Sequence, residues 1–144
     1  IPITDDRMTR FWITIEQGVD FVLSCFNTMH GGEIFVPKIP SMKVIDVAEA
    51  IAPNIPHVKI GIRPGEKLHE VMVTEDDARS TVELADRYVI LPSHERNLRT
   101  TYDALGANAL DEGFSYASNT NDHWLDHDDF RSLLAKPGAA EKAV

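Results

Sequence analysis

The sequence predicts an α/β fold, and three features carry that reading. Over the first half of the chain, short apolar β-type runs alternate with segments whose apolar residues recur every three or four positions. Helix start and stop signals bracket the second kind of segment. The strands that such connections would make parallel are too few for a complete doubly wound sheet, so the pattern describes a smaller α/β unit that should pack on something further.

The elements follow in order. "MTRFWI", residues 8–13, reads as a strand. Thr14 and Gln17 then stand at capping-box spacing, where hydroxyl and amide each satisfy an orphan backbone N–H of the other residue. Ile15, Val19, Val22 and Phe26 line one face of the helix that follows, and Gly31-Gly32 ends it. "EIFVP" is a short strand closed by Pro37, and "KIPS" is a loop. Residues 43–52 form a second helix with Val44, Val47, Ala48 and Ile51 on one face and Pro53 as its stop. "HVKIGI" is a strand, residues 67–73 a short helix, and "STVEL" with "RYVIL" a hairpin. Residues 93–121 are polar and turn-rich without a clear period. "DHDDFRSLLAK" is a last helix, its acidic first turn suited to the positive end of the helix dipole. The domain is expected over residues 1–134, with a disordered Pro-Gly-Ala tail over 135–144.

Bulk properties narrow the function classes. The chain has 144 residues, 43% hydrophobic and 26% charged, which suits one ordinary globular domain. A formal net charge of -9 argues against nucleic acid as partner, since no basic run exists to neutralise phosphates. A small anionic ligand stays open, because one or two placed arginines suffice for it. The single cysteine, Cys25, excludes an internal disulfide and fits a reducing, cytoplasmic setting. No apolar run is long enough to span a bilayer. The chain opens on Ile1-Pro2-Ile3, without an initiator Met, as the back portion of a longer protein would. On that expectation, apolar faces are left in water, giving self-association or local disorder near residues 1–9.

Several kinds of chemistry lack their residues. The glycines stand at 18, 31, 32, 61, 65, 106, 113 and 138, with no spacing of the G-x-G-x-x-G kind that cradles a dinucleotide pyrophosphate. None of Tyr88, Tyr102 and Tyr116 has a lysine four residues on, so the Tyr-x-x-x-Lys acid/base pair is missing too. His123 and His127 stand four apart among acidic residues, a spacing that can bind zinc on a helix, but no third ligand accompanies them. A solvated acidic turn capped by Asp126 explains them better. Cys25 lies in an apolar helix as packing material. His69 beside Glu70 has the types of an acid/base pair, without a neighbouring reaction centre.

"GIRPGEKLHE", residues 61–70, follows an apolar β-type run with Arg-Pro-Gly-Glu. Pro64 pre-sets φ for a turn and Gly65 tolerates the positive φ that follows. Arg63 therefore sits at a strand end, where ligands collect in open α/β folds. A plain surface turn with solvated charges is the competing account.

Three blocks, "ITDDRMTRFWIT", "GGEIFVPKIPSMKVIDVAEAI" and "GIRPGEKLHEVM", occur in this order. Together they resemble the C-terminal part of the inverting UDP-N-acetylglucosamine 4,6-dehydratases, extended short-chain dehydrogenase/reductases of bacterial glycan pathways such as pseudaminic acid biosynthesis. "YVILP" and "FSYASNTNDHWL" fit less tightly, and the resemblance runs from Ile3 to about Leu134. It implies the C-terminal substrate-binding portion of such an enzyme, incomplete without an N-terminal Rossmann domain. It further implies that Arg10 and Arg63 contact a UDP diphosphate and that Glu66 contacts the uridine ribose. In the family NADP takes a hydride from sugar C4, water leaves across C5 and C6, and the hydride returns to C6. The residues for those steps lie in the N-terminal part, so the resemblance implies a lyase whose catalytic residues and NADP site are not in this chain, UDP-N-acetylglucosamine as ligand, and a homo-oligomer or association with the other half as partner. A stand-alone nucleotide-sugar-binding or interaction module, and part of a UDP-sugar epimerase, remain open beside it.

Overall fold

The computed structural model describes residues 1–93 and 97–135; the tail expected to be disordered falls, but for Ala135, outside them. The architecture is mixed α/β, as the alternation of apolar runs predicts, and divides into two units.

The first unit comprises, among the described residues, 1–18, 39–70 and 117–135. Strand β1 (Pro2–Ile3) is paired in parallel with a later strand at 58–59, and Ile3 is buried. In residues 1–9, the stretch for which self-association or local disorder is expected, this pairing is joined by burial of Met8 and Thr9. β2 (Thr9–Phe11) is the predicted strand, shortened at both ends. Helix α1 (Ile15–Cys25) begins in this unit and runs on into the second. Its capping box forms as read: Thr14 N donates to Gln17 Oε1 at 2.9 Å, and Gln17 N to Thr14 Oγ1 at 3.2 Å.

The second unit comprises, among the described residues, 19–38, 71–93 and 97–116. Its first strand is β3 (Ile34–Pro37). In the first unit follow β4 (Ser41–Lys43), antiparallel to β2, then α2 (Val44–Ile51) and β5 (Val58–Lys59), the partner of β1. Of the face expected on α2, Ala48 is buried, Val47 packs against the core and Val44 is half-buried, while Ile51 is exposed and Ala50 is buried as well.

Back in the second unit come β6 (Val71–Val73), α3 (Glu75–Ala78), β7 (Thr81–Glu83) and β8 (Arg87–Ile90). β7 and β8 are the predicted antiparallel hairpin. α4 (Leu98–Ala104) and β9 (Asn108–Ala109) occupy the stretch read as without period. Only Leu98 and Tyr102, four apart, are buried on α4, too few anchors for a period to show. The sheet has the order β3-β8-β7-β9, all antiparallel, over a core of Val82, Val89, Leu91, Leu98 and Tyr102. β10 (Tyr116–Ala117) ends this stretch.

α5 (His127–Leu134) packs on α2 in the first unit. Phe130 meets Trp12 edge-on with ring centroids 4.8 Å apart, and joins Met42 and Ala50 in that unit's core. Arg131 Nε donates to the carbonyl of Ala50 at 3.0 Å, satisfying an acceptor at the C-terminal end of α2.

Candidate functional site

Arg63, Pro64, Gly65 and Glu66 close the turn that the residue types require. Glu66 N donates to the Arg63 carbonyl at 3.0 Å, and Gly65 has φ of 81°, a conformation that costs a side chain roughly 1–2 kcal/mol. The Glu66 carboxylate reaches back to accept from Arg63 N at 3.1 Å. One carboxylate oxygen thus braces the turn, and the other is available as an acceptor. The Arg63 side chain is exposed.

Residues 67–73 do not form the predicted helix: 71–73 are strand β6, and 67–70 are irregular. The carbonyls of Lys67, Leu68 and Glu70 are taken from outside the segment, in place of an i to i+4 ladder. Thr9 N donates to the Leu68 carbonyl at 3.1 Å, Arg10 donates to the carbonyls of Lys67 and Leu68 at 2.9 and 3.2 Å, and Ser118 N donates to that of Glu70 at 2.8 Å.

Arg10 is held hard against this segment. Besides Lys67 and Leu68, its guanidinium donates to the Thr9 carbonyl at 2.7 Å and to Met8 Sδ at 3.2 Å, and its Nε lies 3.5 Å from Glu70 Oε1. Both terminal nitrogens of the guanidinium therefore have acceptors, and Nε faces a carboxylate. Arg7 forks onto Asp5, and these hydrogen bonds hold the Asp5 carboxyl well below the usual range. Arg131 is engaged with Ala50 and Asp128. Among the described residues of this unit, Arg63 is the arginine whose guanidinium has no partner.

Beneath this segment lies a hydroxyl cluster that the residue-by-residue reading did not single out. Thr9 Oγ1 is 2.8 Å from His69 Nδ1 and 2.6 Å from Ser118 Oγ, and Ser118 Oγ accepts from Glu70 N at 3.0 Å. Thr9 and Ser118 are buried. His69 is therefore oriented by Thr9, a partner 60 residues away in sequence. The signal was present in the "FSYASNTNDHWL" block, but hydroxyls carry no periodicity that would mark them.

The remaining candidates have other employment. Asp126 caps α5, accepting from Asp128 N at 2.9 Å and Asp129 N at 2.8 Å, and His127 opens the helix. Among the described residues no group of three or more His, Cys, Asp or Glu is placed to hold a metal. Half-buried Cys25 receives a hydrogen bond from Arg87 at 3.3 Å in the second unit. Among the described residues no helix is long and apolar enough to cross a membrane.

Comparison with known proteins adds an independent line. Residues 1–92 match the family model described as polysaccharide biosynthesis protein. A UDP-N-acetylglucosamine 4,6-dehydratase (inverting) of Campylobacter jejuni is 50% identical, the match covering 93% of this chain and 42% of that protein. A UDP-glucose 4-epimerase of Rickettsia massiliae is 34% identical over 68% of this chain and 30% of its own length. Among solved structures, that of Pen from Bacillus thuringiensis superposes with a TM-score of 0.73 at 25% identity, covering 93% of this chain and 39% of that one. The chain spans about two fifths of the length of the dehydratase it matches.

Proposed function

This chain belongs to the polysaccharide biosynthesis protein family, within the extended short-chain dehydrogenase/reductases, and on that premise we propose that it grips the UDP moiety of a nucleotide sugar. The resemblance read in the sequence is borne out at the level of the family. UDP is the chemistry shared by the names of the dehydratase and epimerase relatives. The greater identity to the former favours UDP-N-acetylglucosamine as the ligand and a 4,6-dehydratase of bacterial glycan biosynthesis as the activity it serves.

The observation that carries this reading is the free guanidinium of Arg63 on a turn braced by Glu66. A guanidinium fork matches phosphate oxygens, and each such charge-assisted bond contributes roughly 1.5–3 kcal/mol. The second Glu66 oxygen suits a ribose hydroxyl donor. Arg10 serves the diphosphate by exchanging one of its backbone acceptors for a phosphate oxygen, or by holding the segment from which Arg63 projects.

The dehydratase reading carries NADP as hydride carrier, and the described residues of this chain do not fit its pyrophosphate. Gly31-Gly32 lies between α1 and β3, and Gly61 and Gly65 lie between β5 and β6. Neither is a strand-to-helix turn, where backbone N–H groups converge on a phosphate. The role proposed for the chain is recognition of the nucleotide, not hydride transfer.

Calorimetric titration with UDP and with UDP-N-acetylglucosamine tests the reading. Both should bind, and Arg63→Ala should weaken both alike, since the lost contact is to the diphosphate. A chain indifferent to UDP, or an Arg63→Ala variant of native affinity, would overturn it.

A further inference from the structure

The block "FSYASNTNDHWL" has no part in gripping a ligand as described, yet two of its side chains organise the strands behind the turn. Asn121 Nδ2 donates to the carbonyls of Ile39 and His123, each at 2.9 Å, and to Ser41 Oγ at 3.0 Å. It thereby ties the block to β4 and its approach. Ser118, with no exposed surface, does the same for β2 and the segment at 67–70.

The hydrogen-bond accounting shows why Ser118 is more than filler. Its Oγ accepts from Glu70 N at 3.0 Å, and its own N donates to the Glu70 carbonyl at 2.8 Å, so one residue closes both backbone groups of Glu70. Its hydroxyl proton goes to Thr9, whose Oγ1 and carbonyl lie 2.6 and 3.2 Å away. Thr9 passes the linkage on to His69 Nδ1 and, through its carbonyl, to the Arg10 guanidinium. Arg10 in turn fixes Lys67 and Leu68. The segment from 67 to 70 is thus held through the backbone at Lys67, Leu68 and Glu70 and through the side chain of His69, and it is the direct continuation of the Arg63–Glu66 turn.

We infer that Thr9 and Ser118 are positioning residues: their buried hydroxyl pair sets the place of the 67–70 backbone and, through it, of Arg63 and Glu66. The inference rests on the proposed UDP-gripping role of that turn. Neither hydroxyl touches the ligand. A buried donor or acceptor left unpaired disturbs its neighbours more than an apolar group of the same shape does, so the pair acts as a unit rather than as two separate bonds.

Thr9→Val removes the hydroxyl and keeps the shape, Thr9→Ser keeps the hydroxyl, and Ser118→Ala removes the other member. UDP affinity is measured well below the melting temperature of each variant, so that lower stability alone leaves the dissociation constant unchanged. Thr9→Val and Ser118→Ala should each weaken UDP about five- to tenfold, and their combination scarcely more than the worse single change. Thr9→Ser should bind as the native chain does. Native affinity in Thr9→Val, or losses that multiply in the combination, would overturn the inference. A native chain that binds no UDP refutes the proposed function instead. Positioning of the segment is then decided by amide exchange: faster exchange at Glu70 in Thr9→Val, which leaves the direct Glu70–Ser118 bond in place, supports it, and unchanged exchange overturns it.

Discussion

Arg10 donates to the carbonyl of Lys67 across 2.9 Å, joining β2 to the residue that follows the Arg63–Glu66 turn. The two arginines expected to meet a diphosphate therefore differ in kind. Arg10 is built into the backbone of its own unit, whereas Arg63 is exposed and uncommitted among the described residues. Arg63→Ala should weaken UDP binding by about 1.5–3 kcal/mol and leave the melting temperature within a degree or two of native, because no folded-state contact is lost. Arg10→Ala should lower both. Parallel calorimetry and thermal melts separate them, and equal stability losses in the two variants would contradict the distinction.

Gly65 supplies a second check on the turn. A Cβ built there meets nothing within 4 Å, so the obstacle to a side chain is its φ of 81° rather than space. Gly65→Ala should therefore destabilise the turn by roughly 1 kcal/mol, and Gly65→Asn by less, since Asn visits this region more readily. Affinity for UDP should follow the same order. A pair of variants with equal affinity would show that the turn's conformation does not matter to binding.

These tests bear on features that the residue types announced unevenly. The Pro64-Gly65 turn, the Thr14–Gln17 box and the Asp126 cap were legible because each rests on local stereochemistry. The hairpin at 81–90 was legible from its two apolar runs. The segment at 67–70 was not, because its conformation is decided by Thr9, Arg10 and Ser118, as far as 109 residues away in sequence from one another. α4 was missed because two buried anchors do not make a period. Arg63 and Glu66 could be nominated from the sequence, but the engagement of the Arg10 guanidinium could not, since it depends on carbonyls brought close only by the fold.

Glu33 gives the second unit a pH dependence. Burial opposes its ionisation, but hydrogen bonds from backbone N–H groups of Glu33 itself, His30 and Gly31 and from the Tyr102 hydroxyl override that and leave its carboxyl below the usual range. A depressed folded-state value means stability that is complete above the ordinary carboxyl value of 4.5 and is lost as pH falls through the lower folded value. Urea melts should thus show stability falling below about pH 4.5, and less steeply in Glu33→Gln. An identical pH slope in the variant would remove Glu33 from the account.

Helix α1 carries Ile15, Val19 and Val22 of the apolar face its spacing predicts, yet none of its residues is buried; Val22 is 56% exposed, and Phe26, just past its end, 65%. Ile15, Val19 and Leu23 are exposed beside them. Together these side chains present on the order of 500 Å² of apolar surface, and two such faces laid together reach about 1,000 Å², the lower bound of a specific interface. At roughly 25 cal/mol per Å² the gain exceeds the smaller estimates of the cost of association. The 144-residue chain should therefore self-associate at tens of micromolar through a two-fold pairing of α1, the arrangement in which one patch serves as its own partner. Sedimentation velocity should show a dimer that Phe26→Glu and Val22→Glu each dissociate while circular dichroism stays native. A native chain that sediments as a monomer at 100 micromolar would sink the prediction, as would dimers of undiminished strength in both variants.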